Sequence, residues 1–408
     1  MRLSINPARL LGNIQKLAQV GADEKGGNSR LAATDADRDG RDLVVGWMKA
    51  AGLEISIDEI GNIFGTRAGR QDIAPIMTGS HIDTVRSGGA LDGCYGVLAG
   101  LEVVETLNDN CITTERPIIV GIFTNEEGAR FQPDMMGSLV HAGGLSVEEA
   151  LSATDRDGVS LKEELARIGY AGDMRCGTIT PHKFVELHIE QGPILEQEGI
   201  SIGVVENLQG ISWTEVNIKG QSNHAGTTPM YLRHDAGYGA AAITVRVREI
   251  VKELGGTQVG TIGKIDLGPN VINVVAGHAH MTVDLRNTDK ELLHKSEQIF
   301  ESFLEELAEV EGLEISSKRL VQFDPVAFDA GVADAIEASA KSRELSFKRM
   351  TSGAGHDAQM MARICPTAMI FVPSHNGVSH NPAEHTDDHH LEAGANILLD
   401  VMAEMAEA

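Results

Sequence analysis

The sequence predicts an α/β protein in which a mostly parallel sheet, covered by helices on both faces, carries an inserted ferredoxin-like (βαββαβ) domain. At 408 residues the chain is too long for one compact core, so two domains are expected. Strand, loop and helix patterns alternate in its first part, which is typical of parallel sheets with crossover helices. Near residue 210 this alternating pattern gives way to longer predicted strands and two long predicted helices.

The elements of the main domain follow from hydrophobic spacing and from start and stop signals. Asn6 suits the cap of a first helix, Pro7 suits its first turn, and Gly52 is placed to stop the second helix. Helical spacing predicts helices at 7–20, 35–50, 97–107 and 328–343. Short apolar runs predict strands at 53–57, 62–66, 75–79, 116–124 and 368–372.

The inserted domain is expected at residues 211–325, which leaves 1–210 and 326–408 for the main domain. Its strands are predicted at 211–219, 258–267, 271–286 and 313–320, and its helices at 236–254 and 289–310. In chain order these elements give the βαββαβ pattern, which forms a self-contained domain.

Composition excludes several classes of protein. The formal charge of 34 − 59 = −25 argues against binding to nucleic acid or to an anionic membrane surface. An anionic substrate would therefore need a local basic group. The four cysteines are scattered without a Cys-x-x-Cys pair, so neither a thiolate zinc site nor a disulfide framework is indicated. No apolar run has the length of a membrane span, and no secretion signal is recognised, so a cytoplasmic protein is expected.

Five short motifs carry the residue types that bind divalent metal ions: His81-Ile82-Asp83, Asp92-Gly93, Glu126-Glu127, His188-Ile189-Glu190 and Ser379-His380-Asn381-Pro382. Imidazole and carboxylate groups suit such ions, and two neighbouring ions need a carboxylate between them. The first three motifs lie where a parallel sheet opens its crevice, at the carboxyl ends of strands. Each motif alone is commonly structural, as a loop histidine, an Asp-Gly turn or an exposed acidic turn. Together they predict a two-metal hydrolase.

Two of these motifs also indicate a division of labour. His81 and Asp83 are two residues apart on an extended segment, so Asp83 is expected to accept the proton of the imidazole nitrogen that does not bind metal. Adjacent buried carboxylates repel one another unless cations compensate. The simplest assignment gives Glu127 to a metal ion and Glu126 to proton transfer.

Longer motifs resemble the M20-type metallohydrolases, and within them the amidase branch of hydantoinase/carbamoylase enzymes. The matching stretches lie at 78–84, 88–93, 124–130, 186–193, 222–229, 352–357 and 379–384. This branch contains N-carbamoyl-amino-acid hydrolases, β-ureidopropionases and allantoate amidohydrolases. The resemblance extends over nearly the whole chain.

The resemblance implies a metal centre and its chemistry. It implies two divalent ions (zinc, manganese, cobalt or nickel) held by five side chains: His81, Asp92, Glu127, His188 and His380. Asp92 is expected to bridge the ions, Glu126 to act as general base, and Asp83 to orient His81. Peptidases of the broader family commonly place a carboxylate where this chain has His188, which argues against a plain aminopeptidase.

The resemblance also implies substrate contacts and a partner. The inserted domain is expected to form a homodimer, in which His224 reaches the partner subunit's site and stabilises the oxyanion. Asn273 and Arg286 are expected to bind the substrate, and a guanidinium is the natural bidentate partner of a carboxylate. Further contacts are expected from Gln191, Gly355 and His356.

These inferences predict an enzyme that hydrolyses carbon–nitrogen bonds other than peptide bonds. The expected reaction cleaves the ureido C–N bond of an N-carbamoyl amino acid to give the amino acid, ammonia and carbon dioxide. Allantoate amidohydrolase is the main alternative, and a dipeptidase or aminoacylase is a weaker one. A metal-free binding protein has no support, because all five ligand positions are filled. The sequence leaves open which ureido acid is used and which metal is bound.

Overall fold

A computed structural model describes residues 2–408 and divides them into two compact units. The first comprises the residues up to Glu206 together with Ala327–Ala408, and the second is Asn207–Val326.

The helices and strands are numbered in chain order. The helices are α1 Pro7–Ala18, α2 Asp35–Ala50, α3 Cys94–Asp109, α4 Met136–His141, α5 Val147–Ser152, α6 Leu161–Ile168, α7 Ile194–Glu198, α8 Ala236–Leu254, α9 Lys290–Glu311, α10 Ala330–Ser342, α11 Asp357–Met361 and α12 Asp388–Glu407. The strands are β1 Glu54–Ile57, β2 Ile63–Arg67, β3 Ile76–His81, β4 Ile118–Phe123, β5 Lys183–Ile189, β6 Ile202–Leu208, β7 Gly210–Lys219, β8 Val259–Gly268, β9 His278–Asn287, β10 Glu314–Phe323, β11 Val326–Ala327, β12 Phe347–Ser352 and β13 Thr367–Val372. None of the helices within residues 2–408 combines the length and apolar character needed to cross a bilayer.

The first unit is built on one large sheet with the strand order β1-β2-β4-β3-β5-β13-β6-β11, and β12 also pairs with β6. Its four central strands, β4, β3, β5 and β13, are parallel to one another. The flanking pairs β1–β2, β2–β4 and β13–β6 are antiparallel. Every residue of β3, β4 and β13 is buried, which explains why these strands read as continuous apolar runs. The expectation of an α/β fold with a mostly parallel sheet is confirmed.

Helix α3 lies unusually close to the sheet because glycines face it. A Cβ on Gly96 would overlap the main-chain oxygen of Leu187 in β5, and one on Gly100 would lie 2.8 Å from the Thr78 methyl group in β3. The helix is buried along almost its whole length. This close packing places the turn before α3, which carries Asp92, directly against the ends of β3 and β5.

The second unit is a four-stranded antiparallel sheet with the order β10-β7-β9-β8. Helices α8 and α9 pack against this sheet. The unit has its own buried core, which includes Val216, Ile218, Ile243, Val247, Met281, Phe300 and Leu304. The βαββαβ order is the one that the sequence predicts.

The structure corrects one predicted strand and adds elements that the sequence pattern did not reveal. The strand expected at 271–286 begins only at His278, because Val274 N closes a turn on the carbonyl oxygen of Val271 and Val275 N then donates to the carbonyl oxygen of Asn223, outside the sheet. Asn273 therefore lies in a loop. Helix α12 was not predicted, since Ile397, Leu398 and Leu399 are all fully buried and leave no amphipathic stripe to recognise.

Candidate metal centre and active site

The candidate site lies at the carboxyl ends of neighbouring parallel strands of the first unit. His81 is the last residue of β3, and His188 is the last but one of β5. Glu126 and Glu127 follow β4, and Asp92 precedes α3. His380 lies in the loop between β13 and α12, at φ 53°. The structure therefore brings together all five predicted ligand residues, including those far apart in the chain.

Asp92 lies between two sets of potential ligand atoms. Its Oδ1 is 3.5 Å from Nε2 of His81 and 3.2 Å from Nε2 of His188. Its Oδ2 is 3.2 Å from Nε2 of His380, which in turn is 3.3 Å from Oε2 of Glu127. In each set the ligand atoms lie within 4.8 Å of one another. Asp92 thus belongs to both sets, and its carboxylate could be shared by two ions.

Main-chain carbonyl groups orient two of the histidines. Nδ1 of His81 hydrogen-bonds to the carbonyl oxygen of Asp83 at 2.9 Å, and Nδ1 of His188 to that of Ile189 at 2.9 Å. Because Nδ1–H is donated to a carbonyl group, Nε2 is the nitrogen that can give up its proton and bind a metal ion. Both Nε2 atoms face Asp92, so both rings present a metal-binding nitrogen to the centre.

The structure corrects the way in which Asp83 was expected to orient His81. Oδ1 of Asp83 is 4.0 Å from Nδ1 of His81, so the carbonyl group makes the bond and the carboxylate does not. The carboxylate instead accepts the main-chain N–H groups of Glu126 and Glu127, each at 3.3 Å. Asp83 therefore links the segment that carries His81 to the segment that carries the two glutamates.

The electrostatics of the site favour the binding of cations. Burial opposes ionisation of Asp92, but the hydrogen bonds from His188, His380 and His81 outweigh it and hold its pKa well below the usual value. Burial, and then the charge of Asp92, raise the pKa of Glu127 to about 8. Burial raises the pKa of Glu126 well above its ordinary value. Cations would relieve both effects.

The pocket around the candidate metal ligands is lined by several carboxylates, and histidine is the only basic side chain in its lining. Its volume is about 130 Å³, and it is lined by Asp92, Glu126, Glu127, Asp134, Gln191, Ala354, Gly355, His356 and His380. Converging buried carboxylates of this kind need positive charge, and imidazole–carboxylate sets suit borderline divalent metals. The residues present therefore fit a pair of divalent ions.

The loop that carries Asp92 is held by Glu384, to which the sequence assigned no role, together with Ser379. Glu384 accepts the main-chain N–H groups of Leu91 at 3.0 Å and Asp92 at 3.2 Å. The hydroxyl group of Ser379 donates to both Glu384 and Asp92, at 2.9 and 3.2 Å. Glu384 ends the last matching stretch, so the motif contained it without revealing what it does.

Three predicted substrate contacts line the same pocket. Nε2 of Gln191 donates to Oδ2 of Asp92 at 2.8 Å. His356 is buried, with its ring centroid 4.5 Å from that of His188 and with Nε2 lacking a partner. Burial and then the neighbouring His188 lower the pKa of His356 well below its usual value, so the ring is neutral. Gly355 lies against Met135 with little room for a side chain.

The other three predicted contacts belong to the second unit. Nδ1 of His224 accepts main-chain N–H groups from Gly226 and Thr227 at 3.1 and 3.2 Å, so a neutral ring carries its proton on Nε2 as a donor. Ala225 N donates to the carbonyl oxygen of Asn273 at 2.9 Å and His224 pairs with Val274, which holds the two predicted contacts near each other. Arg286 on β9 forms an ion pair with Asp284 at 2.9 Å.

Comparison with known proteins assigns the family. The sequence model of Peptidase family M20/M25/M40 matches residues 77–404. The chain belongs to this family. A solved amidase of the hydantoinase/carbamoylase family from Burkholderia multivorans has a TM-score of 0.97 and 44% identity, and the match covers 100% of this chain and 99% of that one. The resemblance to this amidase branch of the M20 family is therefore confirmed.

Two curated relatives name activities. The N-carbamoyl-L-amino-acid amidohydrolase of Rhizobium meliloti is 41% identical over 404 residues, covering 99% of this chain and 97% of that protein. The allantoate amidohydrolase of Bacillus subtilis is 36% identical over 396 residues, covering 96% of each.

Proposed function

We propose that this M20-family chain is a metal-dependent amidohydrolase that cleaves the ureido C–N bond of an N-carbamoyl amino acid. The products are the amino acid, ammonia and carbon dioxide. The observation that carries the proposal is the pair of ligand sets that share Asp92, set in a small acidic pocket. The activity named for the Rhizobium meliloti relative supports this substrate class.

The metal centre follows from the two ligand sets. His81 and His188 would hold one ion and Glu127 and His380 the other, with Asp92 between them. Zinc, manganese, cobalt and nickel all suit these donors. When bound, such ions supply Lewis acidity toward the ureido carbonyl group and toward water.

Glu126 is proposed to move the proton. Its carboxylate is buried beside the metal ligands, with Oε2 3.3 Å from Nε2 of His81. A carboxylate in this position takes a proton from the attacking water and passes it to the leaving nitrogen. Burial raises its pKa, which makes it a stronger base than an exposed glutamate.

The second unit is proposed to supply the remaining contacts. The Nε2–H of His224 would stabilise the developing oxyanion in the site of a partner subunit. Arg286 would bind the substrate carboxylate and Asn273 would add a further contact, while Gln191, Gly355 and His356 would line the ureido end. A homodimer formed through this unit and a cytoplasmic location are part of the same proposal, and the four free cysteines suit a reducing compartment.

Allantoate is the second candidate substrate. The allantoate amidohydrolase of Bacillus subtilis covers nearly the whole chain at 36% identity, and allantoate carries the same ureido group. A dipeptidase or aminoacylase is less favoured, because the imidazole of His188 stands where peptidases of the family commonly place a carboxylate.

The test measures ammonia and amino-acid release by metal-loaded protein from N-carbamoyl-L-amino acids, N-carbamoyl-β-alanine, allantoate and a dipeptide. We expect ammonia from the carbamoyl amino acids and none from the dipeptide. Glu126→Gln with unchanged metal content should lower kcat by about 10²–10⁴-fold. Turnover of the dipeptide alone would overturn the proposed function, and a fully active Glu126→Gln would overturn the proton-transfer role.

A further inference from the structure

Asp134 is a carboxylate in the wall of the metal pocket that the proposed chemistry does not use. It lines the same cavity of about 130 Å³ as Asp92, Glu126 and Glu127. It is half-buried and has no place in either metal-ligand set. No sequence motif marks it, since it lies between two of the matching stretches.

The backbone holds Asp134 beside the catalytic segment. Met135 N, the next residue along, donates to the carbonyl oxygen of Glu126 at 2.7 Å, and Gly137 N donates to that of Thr124 at 2.8 Å. The segment that carries Asp134 therefore runs alongside the segment that carries the two glutamates. A Cβ on Gly128 would lie 2.9 Å from both the Cα and the Cβ of Asp134, so the two strands of chain are in close contact.

Asp134 differs from the other acids of the pocket in its partners. The Asp92 carboxylate faces three histidines, Glu126 faces His81, and Glu127 faces His380. Within residues 2–408, no lysine, arginine or histidine forms an ion pair with Asp134, and its carboxylate accepts a hydrogen bond from its own main-chain N–H rather than from another side chain. Burial raises its pKa above the ordinary value, as expected for an acid without a compensating cation.

An N–H group of the substrate could donate a hydrogen bond to the carboxylate of Asp134. The pocket holds Asp92, Glu127 and His380 of the ligand sets together with the proposed base Glu126, so the part of the substrate that it would receive is the ureido group to be cleaved. The terminal amino group of that ureido group carries two N–H donors. A formyl or acetyl group offers a hydrogen atom or a methyl group at the same place and no donor. A carboxyl oxygen accepts a hydrogen bond whether or not the group is ionised.

We propose that Asp134 accepts a hydrogen bond from the terminal amino group of the ureido substrate and so selects carbamoyl over acyl amino acids. This inference rests on the proposed function and names the group that sets its substrate class. Sites built to hydrogen-bond a substrate N–H discriminate against analogues that lack it, because the protein acceptor is then left unpaired.

The experiment compares two substrates that differ only at this position, N-carbamoyl-L-methionine and N-formyl-L-methionine. The ratio of their kcat/KM values is measured for the wild type, Asp134→Ala and Asp134→Asn, with metal content determined for each. Asp134→Ala should lower the carbamoyl-to-formyl ratio on the order of 10–100-fold, the worth of one hydrogen bond to a charged acceptor. Asp134→Asn should lower it less, because the carboxamide oxygen still accepts. Asp72→Asn, an exposed acid outside the pocket, is the matched control and should leave the ratio unchanged.

The outcomes separate this proposal from the proposed function. A wild type that releases ammonia, with variants whose ratio is unchanged, overturns the role of Asp134 and leaves the function standing. Equal losses on both substrates, or a loss of bound metal, also overturn it, because Asp134 would then support the site as a whole. A wild type that cleaves neither substrate overturns the proposed function and, with it, this inference.

Discussion

At the scale of single residues, the buried guanidinium of Arg30 connects the chain segments that carry the metal ligands. Its side chain is fully buried, and its Nε donates to the carbonyl oxygen of Ile82 at 2.6 Å. One of its terminal nitrogens contacts Sγ of Cys94 at 3.0 Å, and the other donates to the carbonyl oxygen of Val20 at 2.6 Å. Ile82 lies directly after the ligand His81, and Cys94 lies two residues after the ligand Asp92. One guanidinium therefore joins the two segments that carry these ligands.

Arg30→Met should weaken the metal centre, because the methionine fills similar space but removes the N–H donor to the carbonyl oxygen of Ile82, whereas Val20 keeps a donor in Asn28. We expect a 10–100-fold loss of metal affinity, the usual cost of removing an outer partner of a metal site, and a loss of about 1–3 kcal/mol in the free energy of unfolding. Metal titration and urea unfolding of the metal-free protein measure the two effects. Arg38→Met is the control, since that side chain is 40% exposed and pairs with Asp39 at the surface. Unchanged metal affinity in Arg30→Met would contradict the positioning role.

The sequence indicates which residue types form the site, but not every contact within it. His81, Asp92, Glu127, His188 and His380 carry recognisable chemistry at strand ends and turns, and the structure brings them together. That the carbonyl group of Asp83 orients His81, rather than its carboxylate, depends on backbone geometry that spacing does not encode. The placement of Asp134 was equally hidden, because it depends on how two loop segments pair.

At the scale of elements, amphipathic helices are predicted well and buried ones poorly. The predicted helix at 35–50 coincides with α2, and the one at 236–254 coincides with α8, because each has one apolar face. Helix α12 and the largely buried α3 lack this contrast, so the sequence does not predict the first and predicts the second too short. The close approach of α3 to the sheet nevertheless depends on two residues of the sequence, Gly96 and Gly100, which have no side chain to meet it.

Replacing these glycines tests whether the approach of α3 sets the site. Gly96→Ala should destabilise the protein by about 1–3 kcal/mol, because the new methyl group meets the rigid carbonyl oxygen of Leu187 and forces the helix away. Metal affinity should fall as well, since Leu187 precedes His188. Gly46→Ala in α2 is the matched control: it is exposed with no atom near its Cβ, and should stabilise the helix by about 0.5–1 kcal/mol. Chemical denaturation measures the free energy of unfolding, and metal titration measures the metal affinity. Equal stability of the two variants would contradict this account of the packing.

At the scale of the whole molecule, metal binding should stabilise the first unit and not the second. Each has its own hydrophobic core, and all five candidate ligands lie in the first unit. The chain carries a formal charge of −25, so cations are drawn to it and protons compete for the same groups. Metal binding and protonation of the ligands therefore oppose each other.

This competition gives the stabilising effect of metal a definite pH dependence. In the metal-free protein, the hydrogen bond to Asp92 raises the pKa of His380 to about 9, and burial raises the pKa of Glu127 to about 8. Groups whose folded pKa is raised stabilise the fold below their unfolded pKa values, which are about 6.5 for His and 4.3 for Glu. That contribution is lost as the pH rises through about 8 and 9. Metal displaces the same protons and restores the pairing, so the difference in Tm between metal-loaded and chelated protein should grow from about pH 6 to about pH 9.

Calorimetry at fixed metal concentration measures that difference, and hydrogen exchange locates it. Amide protection should rise on metal binding in β3 and β5, which carry His81 and His188, while β8 in the second unit serves as the internal control and should change little. The double variant His81→Ala, His188→Ala retains Glu127 and His380 but removes one ligand set, so its metal-dependent rise in Tm should shrink at every pH. A Tm difference that stays constant from pH 6 to 9 would contradict proton competition at these ligands, because metal and protons would then occupy separate sites.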